Sequence, residues 1–141
     1  MSLRNALHLF RRVVAGLVPP ALLLVIFGEL THDNVLGSLE IHVWDKALHF
    51  TAYFGLCLMT TVAVRADRRA LWWAAALIAL GGVLEIVQGM TGRDADIFDE
   101  VANTLGVLTG LGVGWAGTAV LYALAVVEMR DRPKPKTPPV P

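Results

Sequence analysis

The chain has 141 residues, enough for one domain, with 55% hydrophobic residues and a mean hydropathy of +0.59, too apolar for an ordinary soluble domain of this size. Its 12 Lys and Arg balance its 12 Asp and Glu, so net charge points to no nucleic-acid partner. The one cysteine, Cys57, has no partner for an intrachain disulfide and no metal-ligand spacing with the histidines; in its apolar stretch it reads as packing.

Four apolar stretches approach bilayer length, where roughly 20 residues are needed at about 1.5 Å each. They lie at about residues 13–30, 47–64, 70–90 and 101–127. A lipid-facing backbone must satisfy its own hydrogen bonds, so the spans are helices. The expected fold is an all-α, polytopic four-helix membrane bundle in one domain, residues 1–128. The first stretch also has the basic start of a signal peptide, with Arg4, Arg11 and Arg12. No small-residue cleavage site follows Phe27, and Pro19-Pro20 falls mid-span, which favours a retained, kinked helix. Residues 129–141 are rich in Pro, Lys and Arg without apolar periodicity and read as a disordered cytoplasmic tail.

Lys and Arg alternate along the chain. Arg4, Arg11 and Arg12 precede the first span, and Lys46 stands alone before the second. Arg65, Arg68 and Arg69 precede the third, Arg93 stands alone before the fourth, and Arg130, Arg132, Lys134 and Lys136 follow it. Retention of positive charge on the cytoplasmic side then places both termini inside, in a bacterial cytoplasmic (inner) membrane. Trp44 suits the outer interface, and Trp72 and Trp73 the inner one.

The acidic residues gather on the opposite side. Glu29, Asp33, Glu40, Asp45, Glu85, Asp94, Asp96, Asp99 and Glu100 all fall toward the outside. On the second helix Asp45, Lys46, His49 and Tyr53 fall within roughly 100° of arc. Glu85 and Gln88 share a face of the third helix, and Asp96, Asp99 and Asn103 share one on the fourth. Three polar stripes therefore meet at one depth, with Arg93 in the loop beside them. An ionisable residue inside a span costs from about 2.5 to more than 10 kcal/mol at the bilayer centre. Glu85 thus needs a partner, and Lys46 and Arg93 are the cations on its side. Ala102, Gly106, Gly110, Gly114 and Thr118 recur every four residues on the fourth helix. Such a small-residue ladder permits close helix approach, either inside the bundle or as a homo-oligomer face.

The run Asp45-Lys46-Ala47-Leu48-His49-Phe50-Thr51-Ala52-Tyr53-Phe54-Gly55-Leu56 resembles the first motif of VanZ-like membrane proteins. A second motif runs from Gly81-Gly82 through Glu85-Ile86-Val87-Gln88, Gly92-Arg93, Asp96-Ile97-Phe98-Asp99 and Asn103-Thr104-Leu105-Gly106 to Gly110. The resemblance covers about residues 40–115. The family's namesake is associated with low-level resistance to a lipid-tailed glycopeptide antibiotic. The resemblance implies a site at these motifs rather than a particular reaction.

Two readings follow. In the first, the site binds or modifies an anionic cell-envelope lipid or its head group. Lys46 and Arg93 hold phosphate, and His49, oriented by Asp45, acts as general acid or base with Glu85 as a second proton acceptor. Tyr53, Gln88, Asp96, Asp99 and Asn103 complete the ligand-binding set. In the second, the cluster only ties helices together: Lys46 and Arg93 pair with Glu85 and the loop aspartates, while Asp45 and Asp96 cap helices. A proton-coupled carrier through Glu85 and His49 lacks charged residues in the cytoplasmic half. A metal site of His49, Glu85 and the aspartates lacks tight ligand spacing, and no cofactor is expected.

Overall fold

A computed structural model describes residues 3–31, 42–91 and 96–130, all helical apart from short turns. The four helices are α1 (Leu3–Leu30), α2 (His42–Ala63), α3 (Arg68–Met90) and α4 (Ile97–Arg130). Each is longer than its apolar stretch, because polar first turns can form helix outside an apolar layer. Asp96 accepts a hydrogen bond from the Phe98 amide at 2.9 Å, so α4 starts on the expected aspartate cap. Asp67 caps α3 the same way through the Arg69 amide. Asp45 is not a cap: α2 begins at His42, which leaves Asp45 in its first turn. Pro19 and Pro20 lie inside the continuous α1.

Three of these helices are long and apolar enough to cross a membrane: Asn5–Leu30, Arg68–Met90 and Ile97–Val127. α2 is not among them, because Asp45, Lys46, His49, Tyr53 and its threonines dilute its apolar residues. It is instead the packing centre of the bundle. Tyr53, Leu56 and Cys57 are buried together with Ala70, Ala74 and Leu77 of α3 and Val107 and Leu111 of α4. α1 lies furthest out, with Leu23, Leu24 and Phe27 exposed in the manner of a lipid-facing helix.

The most extensive interface joins α2 and α4. A Cβ on Gly106 would collide with the Phe50 carbonyl oxygen. One on Gly110 would sit 2.5 Å from the Phe54 carbonyl oxygen, and one on Gly114 would sit 2.7 Å from Thr61 Cγ2. The glycine ladder thus lets two backbones touch within the chain. A homo-oligomer through the Gly106, Gly110 and Gly114 face would have to displace α2. Residue numbers rise together along this seam, so α2 and α4 run parallel. At one end Gln88 of α3 donates to the Glu29 carbonyl of α1 at 2.8 Å. At the other, Arg11 of α1 stands over the Tyr122 ring of α4 at 5.2 Å. α1 and α3 therefore run opposite to α2 and α4, and the up-down order separates an acidic end from a basic end. The tail from residue 131, with its expected disorder, lies outside the described residues.

Candidate functional site

The acidic end is built from all four helices. Lys46, in the first turns of α2, reaches Asp96 Oδ2 at 2.5 Å and Asp99 Oδ1 at 2.8 Å. One ammonium thus ties the start of α2 to the start of α4, as its three donors and flexible stem permit. One turn further along α2, His49 is buried. Its Nδ1 lies 3.1 Å from Asn103 Oδ1 and 3.7 Å from Glu29 Oε1, and its Nε2 lies 4.0 Å from Asp45 Oδ1. Tyr53, one turn deeper, donates to Glu29 Oε2 at 3.4 Å. Asn103 Nδ2 donates to Glu100 Oε2 at 3.4 Å, and Thr104 donates to Glu100 Oε1 at 3.3 Å.

Glu85 stands apart from this network. The residue is 7% exposed, and neither carboxylate oxygen has a side-chain hydrogen-bond partner among the described residues. The Asp96 backbone stands close enough to hydrogen-bond to it, and Asp99 and His49 act on it electrostatically, so it faces the cluster. Of the two cations expected as partners of Glu85, Lys46 is held instead by Asp96 and Asp99, the aspartates that the helix-tying reading also offered it. Arg93, the other proposed cation, falls outside the described residues.

Nine of the ten sequence-selected residues are described: Asp45, Lys46, His49, Tyr53, Glu85, Gln88, Asp96, Asp99 and Asn103. They gather at one end. Two residues missing from that set belong to it. Glu29 joins α1 to His49, Tyr53 and, through its backbone, Gln88. A carboxylate near the end of an apolar span carries the same cost that singled out Glu85, and that signal was available. Glu100 holds Asn103 and Thr104, three and four residues onward on its own helix, a spacing that sequence also displays. The structure further brings ligand atoms of Asp45, His49 and Asp99 within 4.8 Å of one another. Sequence spacing hid this group because Asp99 comes from another helix.

The basic end differs. His8, Arg11, Arg12 and Ala15 of α1, with Ala63 and Arg65, surround a cavity of about 220 Å³. Between α2 and α3 the chain turns through left-handed Arg65 (φ 63°) and Ala66 (φ 52°), an unusual pair without glycine. Arg69 holds the Asp67 carboxyl below the usual carboxylate range by hydrogen bonds and charge.

No curated protein and no solved structure matches the chain. A family model does, over a longer stretch than the two motifs alone: it takes in α1, and with it Glu29. That match, to VanZ/LLP1, spans residues 3–123, and the chain, a multi-pass helical membrane protein, belongs to this family.

Proposed function

We propose that this chain spans a bacterial cytoplasmic membrane four times and binds the polar head group of an envelope lipid at the outer face. α2 is the fourth span in this reading. Its 22 residues extend about 33 Å, and the bundle rather than lipid surrounds its His49, Tyr53, Thr60 and Thr61. The basic end is cytoplasmic by the positive-inside rule, so both termini are inside and the acidic end faces out. Reporter fusions after Met129 test this: a cytoplasmic reporter should be active there, and an active periplasmic one would invert the site.

Glu85 carries the ligand reading. A buried carboxylate without a side-chain partner is costly, and Glu85 has none among the described residues. The acceptors Glu85, Asp45 and His49 suit a ligand that brings hydroxyl or amine donors. Lys46 is already neutralised by two aspartates, so Arg93, between α3 and α4, is the better phosphate partner. His49 with Glu85 as second acceptor would extend this reading to acid–base chemistry on the head group.

The competing reading, polar ties between helices, has support in the Lys46, Glu29 and Asn103 contacts. The two diverge at Glu85→Gln. In nanodiscs, phosphatidylglycerol in place of phosphatidylcholine should raise the thermal midpoint of the wild type. Glu85→Gln should fold as well or better in phosphatidylcholine and lose that lipid-dependent gain. An equal gain in both proteins would refute the ligand reading.

A further inference from the structure

We propose that Asp45, His49 and Asp99 bind one divalent first-row metal ion, with Zn²⁺ and Mn²⁺ the best fits, at the mouth of the acidic end. The argument begins with Glu100. A carboxylate only accepts, so its contact with Asn103 Nδ2 turns the Asn103 carbonyl toward His49. A carbonyl also only accepts, so His49 Nδ1 carries the proton. The other ring nitrogen, Nε2, faces Asp45 Oδ1 at 4.0 Å. With Nδ1 engaged by Asn103, Nε2 and the Asp45 carboxylate can turn their lone pairs on one cation between them. A histidine whose far nitrogen donates to an oriented acceptor is the usual arrangement of a metal ligand.

The distances fit. With bonds of about 2.0–2.2 Å, ligand atoms on one ion stand roughly 3–4 Å apart. Asp45, His49 and Asp99 present theirs within 4.8 Å of each other, from two helices that the glycine seam holds in register. Access also fits: the Asp45 side chain is 49% exposed and that of His49 is 8% exposed, so an ion enters past Asp45 and ends shielded.

Glu85 supplies a separate observation. It is 93% buried, lacks a side-chain hydrogen-bond partner among the described residues, and faces Asp99 and His49 electrostatically. Six carboxylates (Glu29, Asp45, Glu85, Asp96, Asp99 and Glu100) share this end with one described cation, Lys46. A divalent ion would offset the excess of carboxylates among the described residues. One imidazole with carboxylates favours Zn²⁺ or Mn²⁺ over Ca²⁺, which prefers oxygen alone. The site goes beyond the head-group reading and does not require it.

The test uses the full chain without a polyhistidine tag, in phosphatidylcholine nanodiscs stripped with EDTA. Titration with Zn²⁺ and with Mn²⁺ should give one ion per chain. Asp45→Asn, an exposed position expected to fold, should weaken binding at least tenfold, and His49→Gln should abolish it. His8→Gln, at the opposite end, should bind as the wild type does. Pulsed EPR of bound Mn²⁺ needs no variant: it should show coupling to one imidazole nitrogen that changes on ¹⁵N-histidine labelling. No stoichiometric ion in the wild type, no nitrogen coupling, or unchanged affinity in Asp45→Asn would each overturn the site. Metal binding without a phosphatidylglycerol response would leave the site standing and the head-group reading refuted.

Discussion

The two ends of the bundle carry opposite charge and use it in opposite ways. At the acidic end, charged and polar groups come from four helices, are mostly buried, and bond one another across more than twenty residues of sequence. At the basic end the ion pair is local and exposed: Arg69 reaches Asp67 two residues back, with side chains 67% and 43% exposed. Exposed charge keeps its hydration and needs no partner, so it is free to fix orientation. Buried charge must be matched, so the acidic end has become a specific structure with one carboxylate, Glu85, left over.

The comparison presumes that both ends hang on one seam, and the largest effect should come from breaking that seam. Gly110→Leu puts a side chain where even a Cβ would lie 2.5 Å from the Phe54 carbonyl oxygen. Backbone cannot yield as a side chain does, so the loss should reach the upper part of the ordinary 1–3 kcal/mol overpacking range, or exceed it. Expression and thermal unfolding in detergent should both fall. Gly112→Leu is the control, since nothing lies within 4 Å of its Cβ position. Equal stability of the two variants would show that α2 and α4 do not depend on this contact.

A smaller effect separates the ends directly. Lys46→Met strands Asp96 and Asp99 together at the mouth. The ammonium is partly exposed, which discounts the several kcal/mol typical of a broken buried pair to about 1–2 kcal/mol. Adding Asp96→Asn, which still caps α4, should recover part of that loss. The coupling appears in a double-mutant cycle of thermal midpoints. Strict additivity would mean that Lys46 is held no more firmly than a surface lysine.

The four helices, the polar end and the glycine ladder were legible in sequence because each is a pattern within one helix. Spacing of four put Gly106, Gly110 and Gly114 on a single face, and that face is the seam. Pairings between helices were less legible, because periodicity orients a face without naming what it meets. Sequence offers Glu85 two cations, Lys46 and Arg93, and does not choose between them; with α2 and α4 parallel, Lys46 lies against Asp96 and Asp99. Glu29 stands in the sequence among the outward acidic residues, but its partners do not show there; only the antiparallel return of α2 brings His49 and Tyr53 to it. The same assembly gathers Asp45, His49 and Asp99, which no sequence spacing reveals.

The smallest expected effect lies at the basic end and sets the scale for the rest. Arg11 places its guanidinium 5.2 Å from the centre of the Tyr122 ring and donates to the Tyr122 hydroxyl at 3.4 Å. This contact joins α1 to α4 over a long stretch of sequence, as the contacts of Lys46 and Glu29 do at the other end. It is exposed, however, so water competes for both partners. Tyr122→Phe keeps the ring and removes the long hydrogen bond, and should change stability by no more than about 0.5 kcal/mol. Tyr122→Leu removes the ring as well and should cost about 0.5–1 kcal/mol, the range for an exposed cation–π contact. Thermal unfolding of both variants beside Lys46→Met decides the matter. A loss in Tyr122→Leu as large as that in Lys46→Met would mean that the basic end is also a matched structure. Its cavity beside Arg11, Arg12 and Arg65 would then need a structural explanation of its own, beyond orientation by charge.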